Sequence, residues 1–170
     1  NSIEACLANV GTSDVMVLIL DKRYGPSLKD VGYPDVSATH LEYHHALEKN
    51  VPIRSYANRK LLSDFNIWKK NGKRDDLRLN YVEKKDFGIF ELLQECSELN
   101  PLNKCHDNFV TPFDGERDLE RKIADDLRVF LDANRARVLK RGGTEWVVDS
   151  QGAIGYEEVE GGYEAVFQSV

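Results

Sequence analysis

The sequence has few cysteines and no pattern among them. Cys6, Cys96 and Cys105 form no CxxC pair, and Cys105-His106 has no second pair at zinc-finger spacing. A disulfide scaffold is therefore excluded, and an odd count without a framework suits a reducing cytoplasm. No apolar run approaches about 18 residues and no signal peptide is recognisable, so a soluble, cytoplasmic protein with no membrane partner is expected. There is no GxGxxG or P-loop pattern, which removes dinucleotide and NTP sites of those types. No internal repeat or low-complexity tract is present. Base is not in excess either: 23 Lys and Arg against 29 Asp and Glu leave a net charge of −6. An acidic surface argues against a specific nucleic-acid partner, because phosphate contacts need a basic face. The one cationic cluster, "NRARVLKR" from Asn134 to Arg141, reads as the solvated end of a helix.

What is present belongs to an ordinary globular chain. Apolar residues make up 41% and charged residues 31% of 170 positions, enough for a real core. Ser2 can cap a short helix carrying Ile3, Cys6, Leu7 and Val10, stopped at Gly11. "VMVLIL", Val15 to Leu20, is continuously apolar, the pattern of a strand covered on both faces. A Gly-, Pro- and Asp-rich loop, Asp21 to Val36, leads to a helix from Ser37 to Asn50 and a second strand, "VPIRSYA". This order predicts a right-handed βαβ crossover and an α/β fold. Leu61, Leu62, Phe65 and Trp68 form one helical stripe, and Phe90, Leu93 and Cys96 another. "NFVTPF", Asn108 to Phe113, is a third strand that Pro112 places at an edge or a strand end. The longest helix is expected from Glu116 to Leu139, with Leu119, Ile123, Leu127, Phe130 and Leu131 on its buried side. Thereafter "TEWVVDSQGAIGYEEVEGGYEAVFQSV" reads as an antiparallel meander of two or three strands. The domain reading is 1–141 for the α/β domain and 142–170 for the β-rich extension.

"CLANVGTSDVMVLILDKRYGPS", "SATHLEYHHALEKNVPI" and "TPFDGERDLERKIADDL" together resemble the TIR-like domains of unknown function at the N-termini of bacterial and animal sensor proteins. The resemblance covers about the first 130 residues. It implies a TIR/flavodoxin-like parallel sheet with flanking helices, related in fold to TIR domains and nucleoside 2-deoxyribosyltransferases. Those groups cleave N-glycosidic bonds with a glutamate on the helix that Glu42 occupies here. Such domains open with a further strand and helix, whereas this chain begins inside the helix that leads to the next strand. The sheet is accordingly expected without its first strand.

Glu42 has two readings. A carboxylate near strand C-termini could stabilise the positive charge that N-glycosidic cleavage builds on ribose. Alternatively, Thr39-His40-Leu41-Glu42 is a capping box in which Glu42 closes back on the Thr39 amide. His45, three residues on, could share a face with Glu42 and tune it or touch substrate; both His44 and His45 also suit a solvated surface. Asp21, Arg23 and Tyr24 follow the first strand, where Arg23 could meet a phosphate and Tyr24 stack on a base. Asp21 could equally cap the turn and Tyr24 pack on the loop. No metal and no cofactor is called for.

Two functions stay open at this level. One is an N-glycosidase-type hydrolase for NAD or a nucleoside or nucleotide ligand, with Glu42 as catalytic carboxylate and Asp21, Arg23, Tyr24 and His45 binding substrate. The other is a non-catalytic TIR-like signalling or self-association module. In either, Val15–Leu20 needs neighbours on both edges. The β-rich C-terminal segment is expected to complete that sheet or to form a homodimer by pairing with its own copy, burying Trp146, Val148, Ile154, Val159, Val166 and Phe167.

Overall fold

Three short strands, β1 Met16–Leu20, β2 Ile53–Asn58 and β3 Val110–Phe113, form a parallel sheet in the order β1-β2-β3. In this computed structural model the described residues are 2–98, 109–135, 138–141, 144–149, 152–159 and 162–168. Cys105 and His106 lie outside them. Met16 is level with Ile53 and Leu20 with Ala57, and Ser55 is level with Val110 and Asn58 with Phe113. Helix α2, Ala38–Glu48, connects β1 to β2; α3, Arg59–Lys70, and α4, Gly88–Ser97, lie between β2 and β3. Helix α1, Ser2–Gly11, precedes β1. The expected α/β class is what the chain adopts, and Pro112 sits on an end strand of the sheet, as its missing N–H requires.

The core follows from the helical stripes. Leu61, Phe65 and Trp68 of α3 and Ile89, Phe90, Leu92, Leu93 and Cys96 of α4 are buried with Leu18, Leu20, Tyr56 and Ala57 of the sheet. Trp68, Phe65 and Phe87 surround Phe90 with ring centroids 5.2, 6.1 and 5.2 Å away. Such contacts add about 0.5–1.5 kcal/mol per pair to the burial itself. Buried Asp64 of α3 accepts hydrogen bonds from the backbone N–H groups of Tyr81 (2.8 Å) and Val82 (3.0 Å). One helical carboxylate thus clamps the segment that leads into α4.

Two expectations about this unit are corrected. Among the described residues β1 is not covered on both faces: Leu18 and Leu20 are buried, but Ile19 is 46% exposed, and β1 ends the strand order β1-β2-β3. A continuous apolar run cannot by itself distinguish a central strand from one whose outward positions are apolar. At α2, the cap is Ser37, whose Oγ accepts from the His40 N–H at 3.3 Å. Ser37 is only 1% exposed, so the buried serine takes the capping role and Thr39 falls inside the helix.

The chain divides into two compact units, Asn1–Glu116 and Arg117–Val170. The second carries most of helix α5, Glu116–Arg135, and four strands: β4 Val138–Arg141, β5 Thr144–Asp149, β6 Gly152–Val159 and β7 Gly162–Gln168. These pair antiparallel in chain order, as a sheet of their own. The expected helix to Leu139 therefore stops by Arg135, and Lys140 and Arg141 belong to a strand. Arg141 is level with Thr144. On α5, Leu119, Ile123, Leu127 and Phe130 are half-buried rather than buried.

Replacing the true cap should be felt and replacing the expected one should not. Ser37→Ala is expected to cost about 1 kcal/mol of stability, while Thr39→Ala should change it by less than about half that. Denaturant melts of the two variants check this, and a larger loss in Thr39→Ala would restore the Thr39 cap.

Candidate functional site

The loop after β1 carries Tyr24 onto the start of α2 and the N-terminus of α4. The backbone N–H of Tyr24 donates to Asp86 Oδ1 at 2.9 Å. Its ring lies so close to Gly88 that a Cβ built there would come within 2.5 Å of it. Only glycine leaves room at that point. The Tyr24 hydroxyl shares a 2.7 Å hydrogen bond with His40 Nδ1. The other nitrogen of His40, Nε2, is 3.1 Å from Glu95 Oε1, and His44 Nε2 is 2.7 Å from Glu95 Oε2. One turn of α2 therefore presents two imidazoles to one carboxylate of α4, with ring centroids 4.5 Å apart.

Burial grades across this group. The His40 side chain is 3% exposed, His44 39% and Glu95 45%. Burial lowers the His40 pKa from its ordinary value, and the nearby Glu95 carboxylate opposes that shift. Burial likewise raises the Tyr24 phenol. Deeper in the core, the Cys96 thiol is pushed up to about 12 by burial, so it is an inert side chain and not a nucleophile.

The residues expected to form a site are dispersed. The Tyr24 hydroxyl bonds to His40. Asp21 accepts a hydrogen bond from the Tyr81 hydroxyl, which also accepts from Asn58 Nδ2 at 3.0 Å. Burial, with Asp21 adding, raises the Tyr81 phenol to about 12. Arg23 is exposed; its charge helps to lower the Glu83 carboxyl, after the larger effect of Lys85. His45 faces α1: a Cβ on Gly11 would meet its Nε2 at 3.2 Å, and its Nδ1 is 3.7 Å from Glu48. It forms no pair with Glu42.

Glu42 itself is half-buried. Among the described residues no hydrogen bond or ion pair holds its carboxylate, and burial alone raises its pKa. With Ser37 as the cap, the helix does not need this side chain.

A groove of about 450 Å³ lies beside α4, lined by Trp68, Lys73, Glu91, Glu95 and Glu98 among others. Glu42 is not among its lining residues. Glu95 belongs both to this groove and to the histidine pair. Trp68 Nε1 is the one buried side-chain nitrogen or oxygen without a partner among the described residues.

His40, Glu95, Tyr81 and Asp86 were not singled out from the sequence. The His40-x-x-x-His44 spacing was the available signal, since residues four apart share a helix face. The other three are visible only once α3, α4 and the segment between them pack.

Glu42 has no partner among the described residues, so its charge should work against folding. A carboxyl whose folded pKa is raised favours the folded state at low pH, and this contribution is lost as pH rises from the unfolded value of 4.5 through the raised folded value. Glu42→Gln is therefore expected to raise the melting temperature at pH 7, and the gain should vanish below pH 4.5. Thermal melts across that range check the sign. A lower melting temperature for Glu42→Gln at pH 7 would show that the carboxylate has a stabilising partner.

A family model described as "Domain of unknown function (DUF4062)" matches residues 1–128. No curated protein and no solved structure matches the chain.

Proposed function

Because the chain belongs to the DUF4062 family, whose description assigns no activity, we propose from the site itself that it is an N-glycosidase-type hydrolase acting on NAD or a nucleoside or nucleotide. One observation carries this reading: Glu42 is a half-buried carboxylate that no hydrogen bond or ion pair holds among the described residues. Carboxyls whose pKa is perturbed by burial cluster at functional sites. The resemblance of this helix to that of TIR domains and nucleoside 2-deoxyribosyltransferases supports the same residue. Glu42 would lie against the ribose and stabilise the developing oxocarbenium charge, and water would take the sugar carbon as the base departs. Arg23, exposed at the end of β1, would meet a phosphate of the ligand.

Incubation of the full chain with NAD and with common nucleosides and nucleotides, followed by chromatography, should reveal free base. Glu42→Gln should reduce the rate by about 100-fold or more, the scale on which a single charge-stabilising group acts, while its melting curve stays cooperative. Absence of base release from folded protein across these substrates refutes the enzyme reading.

A second reading has its own support. Asp21 and Tyr24, expected to line a substrate pocket, are committed to Tyr81 and His40, which suits a non-catalytic signalling or self-association module. In that case the open edges of the second sheet, β4 and β7, would pair with a second copy to give a homodimer. Truncation after Gly143 should then halve the assembly mass measured by light scattering. An unchanged monomer mass in both proteins removes this reading.

A further inference from the structure

We propose that His40, His44 and Glu95 bind a divalent transition-metal ion, with zinc the ion that best suits the ligand set. The proposal is independent of Glu42 and of base release.

The geometry comes first. One ring nitrogen each of His40 and His44 and a Glu95 oxygen all lie within 4.8 Å of one another. In a tetrahedral zinc site with bonds of about 2.0–2.1 Å, neighbouring ligand atoms are about 3.3 Å apart. The two measured imidazole–carboxylate separations, 3.1 and 2.7 Å, already approach that edge. Small side-chain rotations would complete it, and the two residues that must rotate, His44 and Glu95, are 39% and 45% exposed.

The third ligand is fixed in advance. His40 is buried, and the Tyr24 hydroxyl holds its Nδ1 at 2.7 Å. A hydroxyl can donate or accept. Without metal, Tyr24 donates to Nδ1 and Nε2–H points at Glu95. With metal, Nδ1–H donates to Tyr24 and the Nε2 lone pair is free. Metal-binding histidines characteristically have such a partner on the second nitrogen. Tyr24 is itself placed by Asp86 and by the absence of a side chain at Gly88.

The chemistry of the donors selects the ion. Two neutral imidazoles and one carboxylate suit zinc and its first-row neighbours, whereas magnesium and calcium take oxygen ligands. Three protein ligands leave a fourth position for water or a small anion, the arrangement of reactive rather than purely structural zinc. The groove beside α4 includes Glu95 in its lining and so provides an approach to that position.

The test uses the full, untagged chain freed of metal by chelator dialysis. Calorimetric titration with Zn²⁺ should show one ion per chain, and Co²⁺ should give the visible absorption of a four- or five-coordinate site. His44→Ala and Glu95→Gln should each weaken Zn²⁺ binding by more than about 100-fold, beyond what outer-shell changes cost, and Tyr24→Phe by about tenfold. Circular dichroism of the metal-free variants should match the parent, and since two independent ligand variants are used, misfolding of one leaves the other decisive. Failure to bind Zn²⁺ at one per chain overturns the proposal. So does binding that persists unchanged in both ligand variants, which would place the ion on other residues. Equal affinity for Mg²⁺ also overturns it.

Discussion

The first unit is organised around a buried histidine. His40 is 2% exposed, and an imidazole taken out of water must have both nitrogens hydrogen-bonded, since each unmet group costs about 1–3 kcal/mol. Tyr24 satisfies one nitrogen and Glu95 the other. Those two partners come from the loop after β1 and from α4, so one ring fixes three separate parts of the chain. Around it, Ser37 Oγ holds the His40 N–H and the bare backbone at Gly88 leaves room for the Tyr24 ring.

The same logic recurs in the other polar contacts. Asp64 ties α3 to the backbone at Tyr81 and Val82, Asn58 and Asp21 hold the Tyr81 hydroxyl, and Asp86 holds Tyr24. In each case a side chain fixes the backbone or side chain of a loop residue. Glu42 differs from all of these. It is half-buried on the helix that carries His40, yet nothing among the described residues answers its charge. A half-buried carboxylate without a partner among the described residues and a carboxylate shared by two histidines are distinct chemical resources. The first suits stabilisation of positive charge, the second coordination of a cation.

Much of the architecture was legible in the sequence. The stripe Leu61, Phe65, Trp68 and the set Phe90, Leu93, Cys96 are inward as their spacing indicated. β1, β2 and β3 stand where the apolar runs placed them, and Pro112 marked β3 as an end strand. The misreadings were local contests that tertiary context settled. The pattern offered Thr39 as the cap, and the buried Ser37 takes that role. Val138 to Arg141 continued a helical pattern, but β-branched and apolar residues before Gly142-Gly143 pair equally well with Thr144 to Val147.

What the sequence alone determined is which residues turn inward, because period and capping act within a few residues of the chain. That is enough to specify three strands, their flanking helices and an α/β class. What only the tertiary structure decided is which inward or flanking residues meet. His40 and His44 share a helix face by spacing alone, but Glu95 reaches them across 55 and 51 residues of chain. Tyr24 reaches His40 only because Gly88 leaves the space. The angle at which α4 packs against α2 sets those meetings, and it depends on side-chain shapes throughout the core rather than on any local pattern.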